Sequence, residues 1–439
     1  MKTPLNAGFG RTDITPDLGS LLMGYPRPDR AATGVRDGLE ANALALSQGN
    51  ASAVVISLTV CIVDDVEVEA IRRGVAERTG VAERTGVAAQ AITVGSTQTH
   101  SGPNTADFWG WCSKDTAYIG RMVEGAIEAG VEAIRTLRPA TVGIGTASSQ
   151  VGVNRRQIME DHSVGLGVNP WGPYDPELTV VRFETDDGPL ATLIHYGAHP
   201  TVLGSDNTLV SRDWPGVMTD RVAALTGAPA FFINGAVGDI APRCGNRGAV
   251  GDGEAALMEV GYRGAEDALR AYHSVKEQRP LELGVLSDGF ELPYRPLADR
   301  AEAEAQFKAA APDKDQYGRG MCEYRHWQAV LQAHDTEAVS GRRYEQVLTR
   351  LGPLALVPFP GEPFVEIVLR LRDLSPFQYT LCASTSCGNN GYLVTRESLH
   401  RGGYEVWVTK AVGPYILAEH IDDVLVQENL ALLRRLVGG

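Results

Sequence analysis

Two histidines, a His-Pro turn and an aspartate lie close together in the sequence HYGAHPTVLGSDNTLVSRDWPG, residues 195–216. The apolar run just before it, residues 190–194, is typical of a buried strand. Because a residue that precedes proline disfavours the helical region, Pro200 predicts that His199 lies at the end of this strand. An imidazole held there is a candidate metal ligand or general base. A histidine that is merely bonded to a nearby carbonyl is the alternative on this segment alone.

Three further segments place polar side chains where predicted strands end. The loop STQTHSGPNT, residues 96–105, follows a short apolar strand and contains His100. Arg155 follows a strand predicted within residues 140–152 and could bind a carbonyl or carboxylate, or belong to a solvated Arg-Arg pair. Glu362 occupies a turn between a strand and a helix, where a carboxylate could also simply cap the helix. Loops at strand ends are where α/β folds place their sites.

Strands and helices alternate along most of the chain, which predicts an α/β or α+β fold with central mixed sheets, flanking helices and one pocket formed by strand-end loops. Apolar runs predict the strands, and a period of about 3.6 residues predicts the helices. The predicted strands lie at residues 39–46, 53–63, 92–95, 190–194, 281–297, 354–359 and 379–384, and the predicted helices at residues 64–79, 118–137, 212–225, 253–275 and 414–436.

Three segments stand apart from this alternation. Residues 298–350 are charged, rich in helix-forming residues and interrupted near Pro312, which makes them the best candidate for an insertion or cap within residues 1–439, whether these form one large domain or two closely packed halves. A tandem GVAERT repeat within residues 74–87 predicts only a local change in the length of a helix or its exit loop. The aromatic sequence at residues 107–118 could line or cover a pocket, or serve as a buried anchor.

Composition excludes several classes of protein. With 44% hydrophobic and 21% charged residues among 439, the chain can bury a large core and is not of the disordered class. A net charge of −14 without a Lys/Arg cluster argues against nucleic acid as a partner. No stretch reaches the roughly 18 apolar residues that a membrane span needs, and the first residues lack an apolar signal. With six scattered cysteines that suit free thiols, these features predict a cytoplasmic protein.

The motifs at these strand ends resemble, in order, those of the neutral/alkaline non-lysosomal ceramidase family. The matching motifs are GRTDITP with the downstream MGY, THSGP, the Asn154-Arg155 pair, AHPTVLG, NGAVGDIAP, FPGE and the run NGY…TRE…GGYE. No single motif is specific, but their occurrence together is. The resemblance covers nearly the whole chain and implies the family's catalytic domain, without the immunoglobulin-like domain that follows it in larger members.

The resemblance also implies a metal site. In that family a zinc ion activates water to cleave an amide bond, which is the chemistry expected of a protein-bound Zn²⁺ with an open position. His199 of AHPTVLG, Glu362 of FPGE and Tyr392 of NGYLVT fall on metal-ligand positions. Imidazole, carboxylate and phenolate are all chemically suitable ligands for Zn²⁺.

Further motifs imply a catalytic set of His100, Arg155, Asp239 and Tyr392. Arg155 and His100 fall on positions that orient or polarise the substrate, and Asp239 lies in the Gly-Asp turn beside the reacting centre. In this set Arg155 or Tyr392 would polarise the carbonyl group, while His100 or Asp239 would transfer protons.

Two positions depart from the family pattern. Where the family has THTHSGP, whose first histidine binds zinc, this chain has TQTHSGP, so Gln98 takes that place. An amide oxygen is a poorer partner for Zn²⁺ than an imidazole. Where the family's GDxSP turn has a serine implicated in catalysis, this chain has Ala241. The expected site therefore lacks one ligand histidine and one hydroxyl.

His195 could compensate for the missing ligand. Relatives more often have asparagine at this position, and a ligand set of His100, His199, Glu362 and His195 is one alternative. The other is that His195 is a histidine of the core. On a strand and turn, the spacing of His195 and His199 does not place both rings on one side as it would on a helix.

Two functions follow as hypotheses. The first is a zinc-dependent amidohydrolase that cleaves a C–N bond of a small or amphiphilic intracellular amide by metal-activated water. Its partner is then a small-molecule substrate, with neither a nucleic acid nor a membrane span. The second is a metal-free ceramidase-like protein, which would act as a lyase, an isomerase or a ligand-binding protein because of the changes at Gln98 and Ala241.

Overall fold

The computed structural model describes residues 3–80, 87–244, 253–337 and 339–438. Their strands are β1 (Asn6–Asp13), β2 (Gly34–Val35), β3 (Glu40–Gln48), β4 (Ala51–Leu58), β5 (Ile92–Ser96), β6 (Arg138–Pro139), β7 (Thr141–Ser148), β8 (Gly152–Ile158), β9 (Val164–Asn169), β10 (Glu177–Thr185), β11 (Gly188–Tyr196), β12 (Leu209–Val210), β13 (Ala230–Asn234), β14 (Ile240–Pro242), β15 (Leu283–Pro293), β16 (Gly341–Leu351), β17 (Leu354–Pro358), β18 (Glu362–Pro363), β19 (Tyr379–Ala383) and β20 (Tyr392–Leu393).

The α-helices of the same residues lie on the faces and edges of the sheets. They are α1 (Asp65–Gly80), α2 (Thr116–Arg135), α3 (Asp213–Thr226), α4 (Gly253–His273), α5 (Arg300–Ala310), α6 (Arg319–Ala333), α7 (Val365–Leu374), α8 (Arg396–Arg401), α9 (Tyr404–Val408) and α10 (Ile421–Gly438). No helix within the described ranges is long and apolar enough to cross a membrane.

Three mixed sheets form the centre of the fold. Their strand orders are β5-β4-β3-β1-β6, β13-β11-β10-β7 and β15-β16-β17-β19. Each sheet contains one parallel pair, formed by β4 with β5, β11 with β13, and β17 with β19. Since parallel strands need a crossover connection, each pair is joined through a helix, namely α1, α3 or α7. The predicted α/β class with central mixed sheets is confirmed.

The three sheets share one apolar core. Leu46 of β3, Leu193 of β11 and Leu356 of β17 belong to a single buried cluster. Burying a leucine side chain contributes about 1.5–3 kcal/mol, so this common core holds the sheets against one another. Helices cover the outer faces, as Val68 and Ile71 of α1 show: they are spaced by three residues and pack into a second buried cluster with α2 and the first sheet.

Asn234, the last residue of β13, connects the three sheets where their parallel strands end. Its Oδ1 accepts a hydrogen bond from the N–H of Ala198 at 3.2 Å, and its Nδ2 donates to the carbonyl of Thr97 at 2.9 Å. Its own carbonyl accepts a hydrogen bond from the N–H of Ser384 at 2.9 Å. Thr97, Ala198 and Ser384 follow β5, β11 and β19. One buried residue, through its side chain and its carbonyl, therefore aligns the loops that follow all three parallel pairs.

The helix-rich segment is shorter than the sequence suggests. Helices α5 and α6 are separated by a 3₁₀ turn, Ala311–Asp313, so the interruption near Pro312 is confirmed. The expected helical extent to residue 350 is wrong, because Gly341–Leu351 forms β16 in the centre of the third sheet. The alternation of exposed Arg343 and Glu345 with buried Tyr344 is a strand pattern that the high charge of the segment obscured.

We expect Asn234→Ala to lower the free energy of unfolding by about 3 kcal/mol, because buried backbone groups of two loops would lose their partners. Thermal unfolding measured by calorimetry checks this. The exposed Asn50→Ala serves as the control and should change stability by less than about 0.5 kcal/mol. A loss in Asn234→Ala no larger than that of the control would contradict the role of Asn234.

Candidate active site

The predicted site residues come from loops that follow the parallel strands. Gln98 and His100 lie after β5, His199 after β11 and Asp239 after β13. Glu362 and Tyr392 lie after β17 and β19 and are register partners in the parallel pair of β18 and β20.

Arg155 differs from its expected place. It lies inside β8 and not at the end of a strand, because β8 continues to Ile158. Strand β8 pairs with β14, which follows the turn containing Asp239.

His199 uses its two ring nitrogens for different purposes. Nδ1 lies 3.1 Å from the carbonyl of Ile240, and Nε2 lies 3.0 Å from Oε2 of Glu362. The side chain is fully buried, and burial together with the Arg155 charge keeps the pKa of His199 well below its usual range. A neutral ring bonded at Nδ1 presents Nε2 to the site. The expected carbonyl contact is present at Nδ1, and a role as metal ligand or base at Nε2 stays a prediction.

Glu362 does not cap the helix that follows it. The N–H of Val365, the first residue of α7, instead donates to Oδ1 of Asp239 at 2.9 Å. The carboxyl of Glu362 faces His199, and burial raises its pKa to about 7 although Arg155 opposes this shift. A carboxyl with this pKa can exist in both protonation states near neutral pH, which is typical of functional sites.

Arg155 connects the site residues to one another. Its Nη1 lies 3.3 Å from each ring nitrogen of His199, and its Nη2 donates to Oη of Tyr392 at 3.0 Å. Nη2 also donates to the carbonyl of Gly238 at 2.7 Å. Burial disfavours the charge of Arg155, but Tyr392 and Glu405 outweigh burial and raise its pKa. The guanidinium is therefore a permanent cation in the centre of the site.

Glu405 supplies the counter-charge for Arg155. Its Oε1 accepts a hydrogen bond from Nε of Arg155 at 2.9 Å, and its Oε2 accepts one from Nη1 of Arg156 at 2.7 Å. Burial alone would raise the pKa of Glu405, yet Arg155 and Arg156 lower it. In the sequence this residue is part of the matching motif GGYE, and the resemblance implied no role for it. Its position in a matching motif is the signal that could have identified it.

His100 lies on the open side of His199. The two ring centroids are 5.6 Å apart, and the backbone N–H of His100 donates to the carbonyl of Pro200 at 3.2 Å. Burial lowers the pKa of His100 well below its usual range, so the ring is neutral. Gly24 is required beside it, because its φ is +106° and a Cβ there would lie 2.3 Å from the imidazole.

Gln98 is held in a strained conformation inside the site. Its φ is +70°, which is unusual for a residue other than glycine and costs roughly 1–3 kcal/mol. The side chain is buried, its Oε1 has no hydrogen-bond partner, and the residue helps to lower the pKa of Glu362 against the effect of burial. Gln98 therefore stands beside Glu362, where the resemblance places a ligand histidine.

The remaining predicted residues have other partners. Asp239 accepts a hydrogen bond from Nδ2 of Asn154 at 2.9 Å, and burial raises the pKa of its carboxyl to about 7. Ala241 lies in β14 opposite Val153 and offers no hydroxyl. Nε2 of His195 lies 3.0 Å from the carbonyl of Cys382. These contacts favour the core alternative for His195 and a positioning role for Asp239.

The aromatic segment near residue 110 is an anchor. The side chains of Phe108 and Trp111 are buried, and the indole of Trp111 stacks on Trp407 with ring centroids 5.3 Å apart. The N–H of Trp109 donates to the carbonyl of Ala411 at 2.9 Å. The segment thereby fastens the stretch around α9 that carries Glu405.

The donor set can be tested for its fit to a metal ion. Among the residues that the structure describes, no three His, Cys, Asp or Glu side chains are grouped to hold one. The amide oxygen of Gln98 and the phenol oxygen of Tyr392 are further possible ligands that this grouping does not include. Oε1 of Gln98 is buried without a hydrogen-bond partner among these residues, Oε2 of Glu362 is buried and lies 3.0 Å from Nε2 of His199, and the phenol of Tyr392 lies beside them. A cation would satisfy both oxygens, so the residues fit an oxygen-rich site.

Comparison with known proteins identifies the family. Residues 5–253 match the family described as neutral/alkaline non-lysosomal ceramidase, N-terminal. Because this match covers more than half of the chain, the protein belongs to that family, as predicted. The match includes the motifs of His100, Arg155 and His199, whereas Glu362 and Tyr392 lie beyond it.

Individual relatives agree with the family. The chain is 24% identical over 221 residues to neutral ceramidase of Oryza sativa subsp. japonica, covering 48% of this chain and 28% of that protein. It is 23% identical over 246 residues to neutral ceramidase 2 of Arabidopsis thaliana, covering 54% and 31%. The matched part is thus less than a third of each plant protein.

Solved structures share the fold over almost the whole chain. Neutral ceramidase from Pseudomonas aeruginosa matches with a TM-score of 0.73 and 17% identity, covering 99% of this chain and 75% of the other. A ceramidase in complex with C2 matches with a TM-score of 0.71 and 17% identity, covering 99% and 76%. At this identity the likeness shows the fold alone.

We expect Glu405→Gln to destabilise the protein by about 3–5 kcal/mol, because two buried arginines would lose their anionic partner. Calorimetric unfolding checks this. Glu397→Gln is the matched control, since Glu397 is 62% exposed and pairs with Arg401 on a helix surface. That control should change stability by less than about 1 kcal/mol. Similar losses in both variants would show that Glu405 is not needed to hold Arg155.

Proposed function

We propose that this protein hydrolyses the C–N bond of a small or amphiphilic amide. The observation that carries the proposal is Arg155, which contacts both His199 and Tyr392 from the centre of a closed set of titratable groups. Membership of the ceramidase family supports an amide-bond hydrolase, since the relatives that it matches are named as ceramidases. The site also contains the groups that amide hydrolysis needs: a cation for the developing oxyanion and neutral bases for protons.

Four side chains would hold the metal ion, namely Gln98, His199, Glu362 and Tyr392. When bound there, the ion supplies a Lewis acid and lowers the pKa of water, which amide hydrolysis at neutral pH requires. Zinc is the ion that the family resemblance implies. The donor set of this chain has one nitrogen and three oxygens, so a harder divalent ion is chemically suitable as well.

The other side chains bind and orient the substrate. Arg155 and the phenol of Tyr392 lie 3.0 Å apart and together present donors to a substrate carbonyl. His100 is neutral and can accept a proton from water and return it to the leaving nitrogen. Asp239 holds the first turn of α7 and the side chain of Asn154, and so fixes the strand that carries Arg155. Its role in this proposal is positioning.

A metal-free function remains the second candidate, and Gln98 is the observation that favours it. An amide in place of the ligand histidine removes the imidazole that zinc prefers, and Ala241 removes a hydroxyl. The protein would then act as a lyase, an isomerase or a ligand-binding protein built on His100, Arg155 and Tyr392. Metal content distinguishes the two candidates directly.

We expect purified protein to contain a near-stoichiometric divalent metal, measured by elemental mass spectrometry. His199→Ala and Glu362→Ala should lose it, because each removes a ligand. His400→Ala is the control and should retain it, since His400 lies exposed on α8. Metal-free wild-type protein that still binds or converts an amide would contradict the metal-dependent proposal and favour the second candidate.

The variant Gln98→His tests the altered position itself. Restoring an imidazole should raise the affinity for zinc, because nitrogen suits zinc better than an amide oxygen does. Competition with a chromogenic chelator measures this affinity without any need for a substrate. An unchanged affinity would show that Gln98 is not a ligand and that another side chain already completes the set.

A further inference from the structure

A cavity of about 160 Å³ lies beside the candidate site. Tyr392 forms part of its wall, so the cavity reaches the side chain that bonds to Arg155. The opposite wall comes from residues that follow α9, including Thr409 and Val412. A group bound here would therefore be continuous with a substrate at the reacting centre.

The charged side chains that line the cavity are all positive. Arg295 and Arg342 line it, whereas no acidic side chain among the described residues does. Both arginines have anionic neighbours outside the cavity: Nη2 of Arg342 lies 2.8 Å from Asp65, and Nη1 of Arg295 lies 3.8 Å from Glu419. Both carboxylates are at least half exposed, so these pairs are weak and leave much of the positive potential in place.

The aromatic wall offers a hydrogen-bond donor without a partner. Tyr294 and Tyr415 stack with ring centroids 5.2 Å apart and an interplanar angle of 19°. The hydroxyl of Tyr415 is buried and has no hydrogen-bond partner within the described part of the chain. Buried hydroxyls are normally paired, so this one points to an acceptor that a ligand would supply. Two cations and a free hydroxyl together suit a carboxylate.

The size of the cavity limits what can enter. Its volume exceeds the roughly 10–15 Å³ that one water molecule needs and lies below the roughly 300–1,000 Å³ of pockets for drug-sized ligands. A carboxylate with one or two neighbouring carbons fits this space.

We propose that this cavity binds a carboxylate on one arm of the amide substrate, through Arg342 and the hydroxyl of Tyr415. The substrate class is then a small N-acyl amino acid or a similar acidic amide. This inference rests on the proposed hydrolase function, because it assigns the arm of a substrate whose amide lies at Arg155 and Tyr392. Arg295 contributes positive potential from the rim of the cavity.

The test compares two probes that differ only in charge, N-acetylglycine and N-acetylglycinamide, with binding to the metal-loaded full chain measured by ligand-observed NMR. We expect N-acetylglycine to bind roughly tenfold more tightly, as a charge-assisted hydrogen bond provides. In R342Q this preference should fall close to one. In Y415F the preference for N-acetylglycine should fall about threefold, which is the effect of losing one neutral hydrogen bond.

R343Q is the matched control. Arg343 is adjacent on β16 and faces the other side of the strand, where it pairs with Asp288 and Glu345. Its removal should leave the preference for N-acetylglycine unchanged. Circular dichroism of each variant checks that it is folded. If R342Q does not fold, Y415F provides the test instead, because it removes only one oxygen atom.

Equal affinities for the two probes, no binding of either, or a preference that survives R342Q would each overturn the inference. If R342Q is unfolded, a preference in Y415F as large as that of the wild type would overturn it. These outcomes are separate from failure of the hydrolase itself. If the wild type cleaves uncharged amides as well as acidic ones, the proposed activity stands and the carboxylate site does not. If N-acetylglycine binds as described but no amide is cleaved, the binding site stands and the hydrolase proposal fails.

Discussion

The enclosed positive charge of Arg155 is the constraint on which the site depends. A guanidinium away from water is stable only when anionic and carbonyl partners surround it, and here Glu405 and the carbonyl of Gly238 do so. Glu405 is separated from Arg155 by 250 residues. The part of the chain that matches the family, residues 5–253, therefore contains the cation but not its counter-charge. The arrangement around Arg155 therefore requires the second half of the chain to fold against the first.

Local sequence signals identified much of this arrangement, and contacts distant in sequence explain what they missed. Pro200 correctly indicated that His199 leaves the strand, and the ordered motifs brought Glu362 and Tyr392 into the same site. The role of Glu405 was not predictable from spacing, because ion pairs across hundreds of residues leave no periodic pattern. Strand β16 was missed for another reason. Its charged residues face outward on one side, so its composition resembles a helical surface although its alternation is that of a strand.

Gln98 combines two properties that rarely occur together. It adopts a left-handed backbone conformation, and it buries an unpaired amide oxygen. Each property carries a cost in folding free energy, and neither is explained by packing alone. Strain at a site is maintained where the surrounding structure determines it fully, and the loop of Gln98 is fixed on both sides by backbone bonds to Val60 and Pro200. The conformation of this loop is thus set by backbone hydrogen bonds and does not depend on which side chain occupies position 98.

The three parallel pairs are three βαβ units, and this has a consequence for how the chain can vary. Every site loop lies where a crossover unit meets the carboxyl end of its strands, close to Asn234. The far ends of the crossover helices carry no site residue. The first GVAERT copy, residues 74–79, lies at such an end, in the last turns of α1, whereas residues 81–85 of the second copy lie outside the described ranges. A change of length at this remote edge therefore need not move the site residues, which lie at the opposite edge.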